Sequence, residues 1–129
     1  MRFKSRYKML IGVLISIVIY TYVNFLDDGV NRKEFDSNLW KNTPAEHSLD
    51  SMRLRMVDDF IHKYDLVGMS RDQIVQLLGD PDETNYFNAY DMVYMLGQET
   101  ESYMAIDSQW LLFDLSDSGE VTSYAIRAD

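Results

Sequence analysis

Cysteine is absent from the 129 residues. With it go disulfides, thiolate metal sites, thiol nucleophiles and the lipid-bearing cysteine of bacterial lipoproteins. Histidine occurs twice, at His47 and His62, without the His-x-x-x-His spacing or neighbouring ligands that a zinc site needs. No metal and no cofactor is therefore expected. The chain has neither a Gly-x-Ser-x-Gly elbow nor a glycine-rich phosphate cradle, so triad chemistry has no support and no small-molecule substrate is evident. Acidic residues are missing from the first 26 positions, and no small-x-small cleavage site follows the apolar run there.

What is present is unevenly placed. Arg2, Lys4, Arg6 and Lys8 hold four of the twelve basic residues, while all 21 acidic residues lie after Leu26. The remainder thus sets eight basic against 21 acidic side chains, a net charge of −13. Such a surface repels phosphate backbones, which excludes nucleic acid as an expected partner and favours a basic protein surface or a loosely held divalent cation.

Residues 9–26 read MLIGVLISIVIYTYVNFL, without a charge. At about 1.5 Å per residue a helix of this length approaches the ~30 Å hydrocarbon core. The cationic start stays on the cytoplasmic side by the positive-inside rule, and the acidic part is exported, with Tyr20, Tyr22 and Phe25 at the outer interface. The expected organisation is a basic tail at 1–8, an uncleaved transmembrane signal-anchor at 9–26, a tether at 27–47 and a folded domain at 48–129. The expected address is the cytoplasmic membrane, single-pass, with the domain periplasmic or extracellular.

The tether is polar except for Phe35, Leu39 and Trp40, so the stretch 35–40 is expected to dock on its own domain or, less readily, on a partner. Ser48 can cap a helix running to Tyr64, with Leu49, Met52, Met56, Val57, Phe60 and Ile61 at spacings of three and four. Asp50, Arg53, Asp58, Asp59 and His62 then fall on the polar face. Asp58 and Asp59 point about 100° apart and make no carboxylate dyad. A second helix opens on the capping-box pattern Ser70-Arg71-Asp72-Gln73 and stops at Leu78, before Gly79 and Pro81. Asp80, Asp82 and Glu83 lack the spacing of a calcium loop and read as a turn.

Beyond Pro81 the period becomes alternating, with strands at 92–96, 109–115 and 121–127, and a Gly-containing turn at 116–120 that makes the last two an antiparallel hairpin. The fold class expected is α+β: an N-terminal transmembrane helix, then two helices packed on a three-stranded antiparallel sheet in two layers.

The string Leu66-Val67-Gly68-Met69-Ser70 through Leu77-Leu78-Gly79-Asp80-Pro81, followed by Tyr94-Met95-Leu96-Gly97 and 111–121, resembles the SmpA/OmlA family of outer-membrane assembly lipoproteins. The helix-helix-strand order is also similar to one repeat of the β-lactamase inhibitor protein fold. The resemblance covers about 52–126 and implies an envelope scaffold. Family members carry a lipidated cysteine that this chain lacks, which points to retention in the cytoplasmic membrane instead. Fold alone carries no task, and no partner-binding residue transfers.

Tyr86, Phe87, Tyr90, Tyr94, Tyr103, Trp110 and Tyr124 are more aromatics than a three-stranded sheet with one covered face requires. Tyr and Trp in polar surroundings are common interface anchors. Trp40, Tyr86, Phe87, Tyr90, Tyr103 and Trp110 are accordingly the candidate partner-binding residues. The function expected is a non-enzymatic envelope protein that binds another envelope protein; the alternative is an inhibitor or immunity protein directed at a toxin or hydrolase.

Overall fold

The computed structural model describes residues 2–100, 104 and 106–129, with backbone only for 2–5 and 24–26. It opens with α1 (Arg2–Leu26), whose side chains from Arg6 to Val23 are exposed. This helix is long and apolar enough to cross a membrane. Its hydroxyls turn back on the helix: Ser16 donates to the Gly12 carbonyl at 2.9 Å, and Thr21 to those of Ile17 and Val18 at 3.0 Å. Such back-bonding gives each of these hydroxyl donors a partner within the helix.

Three further helices follow among the described residues, α2 (Ser37–Asn42), α3 (Met52–Lys63) and α4 (Arg71–Leu78). Then come β1 (Met92–Gln98), β2 (Ser108–Leu115) and β3 (Val121–Ala128), an antiparallel meander in the order β1-β2-β3. The class is α+β, as the change of period at Pro81 indicates, with one helix more than the sequence reading allows for. Met92, Tyr94 and Leu96 of β1 and Leu111 and Phe113 of β2 point to the helices and share one core with Met56 and Phe60 of α3 and Ile74 and Leu78 of α4.

Residues 27–43 form no free tether. Val30, Phe35 and Trp40 are all buried in that core, and Phe35 sits with ring centroids 4.9 Å from Phe60 and 6.0 Å from Trp40. Backbone groups join in: Lys33 N–H donates to the Arg55 carbonyl at 2.8 Å, and Phe35 N–H to the Asp59 carboxylate at 2.7 Å. The Ser37 hydroxyl reaches the Leu77 carbonyl at 2.6 Å, and α2 lies against α3 and α4. Burying large apolar side chains stabilises by about 1.5–3 kcal/mol each, enough to order a short segment otherwise rich in polar residues.

Helix α3 starts later than expected. Its N-cap is Ser51, whose hydroxyl donates to the Leu96 carbonyl at 2.6 Å and so binds the helix start to β1. Ser48 instead fixes the preceding turn by accepting from Asp50 N–H at 3.0 Å. Arg53 is a second correction: placed on the polar face by periodicity, it is only 8% exposed, because α2 and the turn at Asp82 close over that side of α3.

Helix α4 has the capping box in full, with Gln73 N–H donating to Ser70 Oγ and Ser70 N–H to Gln73 Oε1. Gly79 ends it at φ +82°, a conformation that L side chains rarely adopt. The turn at 116–120 closes with Ser116 N–H on the Glu120 carbonyl at 2.7 Å. On the sheet face away from the helices, Val93, Trp110 and Leu112 form a second small core, covered by Phe87 and Tyr90 from the loop at 82–91.

Candidate interaction surface

The loop after α4 is held on the sheet by one residue. Asp82 N–H donates to the Val93 carbonyl at 2.8 Å, and Asp82 Oδ2 accepts from Met95 N–H at 2.8 Å and from Arg53 Nη1 at 3.1 Å. These bonds occupy the outer edge of β1 around Val93 to Met95. Strand addition, which needs free backbone donors and acceptors, is blocked there.

Two clefts meet at Asp82. One, of about 430 Å³, is lined by Lys41, Pro44, Arg53, Glu83, Met95 and Trp110 among others; the second, of about 290 Å³, by Arg71, Thr84, Phe87 and Tyr90 among others. At the floor of the first, the Arg53 guanidinium carbon lies 5.4 Å from the centre of the Trp40 ring. Arg53 Nε and Trp40 Nε1 are buried with no hydrogen-bond partner among the described residues. A cation stacked on an indole and fixed on one side by a carboxylate is a rigid donor, able to meet carbonyls or carboxylates brought into the cleft.

The candidate residues of the sequence fall into separate groups. Phe87, Tyr90 and Trp110 come together: Phe87 lies 6.2 Å from Tyr90 and 6.0 Å from Trp110 between ring centroids. Trp110 is almost fully buried and its indole donates to the Asp129 carboxylate at 3.0 Å, while Phe87 and Tyr90 are half-buried. These three mainly cover the back of the sheet. Tyr86 is 70% exposed and projects from the same loop. Trp40 must be withdrawn as a surface residue, since it is fully buried on the helical side of the sheet, under Arg53. Tyr103 lies outside the described residues.

Arg53 and Asp82 are the members that sequence reasoning missed. The helical period assigns Arg53 to solvent, and nothing in the string around Pro81 shows that Asp82 will meet a helix 29 positions earlier. Elsewhere, His47 pairs with the Ser108 hydroxyl and His62 with the Asp58 carbonyl. Among the described residues no group of three His, Asp or Glu side chains is placed to hold a metal ion. Comparison with protein-family models, with curated proteins and with solved structures finds no match for this chain.

Proposed function

We propose that this chain is a non-enzymatic membrane-anchored envelope protein whose domain binds another protein at the paired clefts beside β1. The observation that carries the reading is the buried Arg53 guanidinium, stacked on Trp40 and tied to Asp82, at the base of a cleft walled by Met95 and Trp110. Arg, Trp and Tyr are the residue types in which protein-interface energy concentrates, and Tyr86 stands exposed on the adjoining loop.

The envelope setting rests on α1, with its basic start, charge-free middle and acidic sequel, which favour a cytoplasmic N-terminus and an exported domain. The likeness of residues 66–81 to the SmpA/OmlA family supports the same setting. With Asp82 and Glu83 on the cleft, and a net charge of −13 beyond Leu26, the partner is expected to present a basic surface with carbonyl or carboxylate groups for Arg53.

A photoreactive amino acid at Tyr86 of the full chain in its own membranes tests the proposal. One discrete adduct, lost when Glu83→Lys reverses the charge at the cleft, is the expected result. Absence of a discrete adduct at Tyr86, or an adduct indifferent to Glu83→Lys, overturns the reading.

A further inference from the structure

The loop between β1 and β2 carries the most exposed large apolar side chains outside α1 among the described residues, Ile106 at 76% and Met104 at 73%. Exposing two such groups in a domain of this charge is unfavourable in water, and their position in the fold matters more than their number.

The loop leaves the sheet at the end where the chain emerges from α1. Thr100 lines a small cavity together with Asp28 and Val30, and Glu99 N–H donates to the Asp107 carbonyl at 3.0 Å to close the loop base. Val30, buried in the domain, is four residues past Leu26, where α1 ends. Four residues reach at most about 14 Å, so if α1 spans a bilayer the domain surface around Val30 lies within that distance of the membrane. The opposite end of the sheet, with Val67 next to the Gly68–Val121 backbone bond, is about 25 Å away along the strands.

We infer that the β1–β2 loop is a second membrane contact, in which Met104 and Ile106 enter the interfacial layer of a lipid surface beside α1. The inference rests on the membrane-anchor reading of α1. Apolar side chains on a short loop gain by leaving water at the headgroup boundary, while Glu99 and Asp107 at the loop base stay at the level of the headgroups. The contact gives the domain two fixed points. The clefts beside β1 are then held at a set height above the bilayer.

Because the chain has no cysteine, single cysteines introduced in the full-length protein can each carry an environment-sensitive fluorophore. The positions are Ile106→Cys, Val67→Cys and Val13→Cys, reconstituted in phosphatidylcholine vesicles with and without lipids bearing a nitroxide on the acyl chain near the headgroup. The label at 106 is expected to show blue-shifted emission that the nitroxide quenches, as at 13, while the label at 67 keeps the spectrum of water. If 13 is quenched and 106 behaves like 67, the loop contact is refuted and the anchor stands. Quenching of 67 as strong as that of 106 refutes the end-on placement. No quenching at 13 refutes the anchor itself, and the loop contact with it.

Discussion

Ser51 and Gly97 approach so closely that a β-carbon on the glycine would lie 2.8 Å from that of the serine. It would also meet the Ser48 carbonyl oxygen at 2.9 Å and the Leu54 β-carbon at 3.2 Å. Gly97 sits where the β1–β2 register shifts, and the Ser51 hydroxyl is bonded to the neighbouring Leu96 carbonyl. The start of α3 therefore rests on bare backbone. Gly97→Ala forces a backbone shift rather than a rotamer change and is expected to destabilise the domain by about 1–3 kcal/mol. The denaturant midpoint of the full chain in detergent reads this; an unchanged midpoint would show that α3 does not press on the bulge.

Trp40 and Tyr86 look alike as candidates in the sequence and differ sharply in the fold, at 0% and 70% exposure. Trp40→Ala should cost about 3–5 kcal/mol, because it empties a site between α3 and the Arg53 side chain. Tyr86→Ala should change stability by less than about 0.5 kcal/mol, as for other surface sites without a special role. Thermal unfolding of the two variants measures the contrast. Equal losses would contradict the placement of Trp40.

The contrast also marks how far the sequence could be read. The capping box at Ser70, the stop at Gly79, the turn at 116–120 and the two faces of β2 rest on local chemistry, and contiguous residues suffice to see them. Val30, Phe35 and Trp40 follow neither the helical nor the strand period, since the chain has no regular secondary structure at the first two and is helical at the third. Their partners lie on α3, reached in part through Asp59, which periodicity alone places in solvent. The candidate site suffered likewise. Its aromatic part was visible as an excess of rings, whereas its polar centre joins Arg53 to Asp82 across 29 residues and leaves no local pattern.

Asp28 and Arg32 carry a pH dependence into the segment just after α1. Hydrogen bonding to the Arg32 guanidinium, partly opposed by burial, holds the Asp28 carboxyl below its ordinary value of 3.8. Arg32 also binds Asp58 of α3, so the pair pins the entering chain to the domain. A lowered carboxyl value in the folded state means stability fully present above the ordinary range and lost as the pH falls toward the folded-state value. Both partners are partly exposed, so the contribution is about 0–1 kcal/mol. Arg32→Gln should raise the Asp28 carboxyl to its ordinary range and flatten the acid limb of stability, as seen by carboxyl-carbon NMR titration and melting in parallel. A carboxyl that titrates identically in both proteins contradicts the pairing.

Asp82 is the residue on which the proposed site and the fold depend together. Its carboxylate receives the Met95 N–H and the Arg53 guanidinium, and Arg53 has little other contact with solvent. Asp82→Ala leaves a nearly buried cation without its counter-charge and uncovers a backbone donor on the edge of β1. A loss of about 2–3 kcal/mol is expected, at the lower end because Asp82 itself keeps some exposure. Asp82→Asn retains an oxygen for Met95 N–H but no charge for Arg53, and should lose about half as much. An opened β1 edge also invites pairing between chains, so Asp82→Ala but not Asp82→Asn should scatter light as concentration rises. Denaturation curves and static light scattering on both variants decide this. If the two are equally stable and equally monodisperse, Asp82 neither holds Arg53 nor guards the strand, and the cleft loses the rigid floor on which its recognition of a partner would depend.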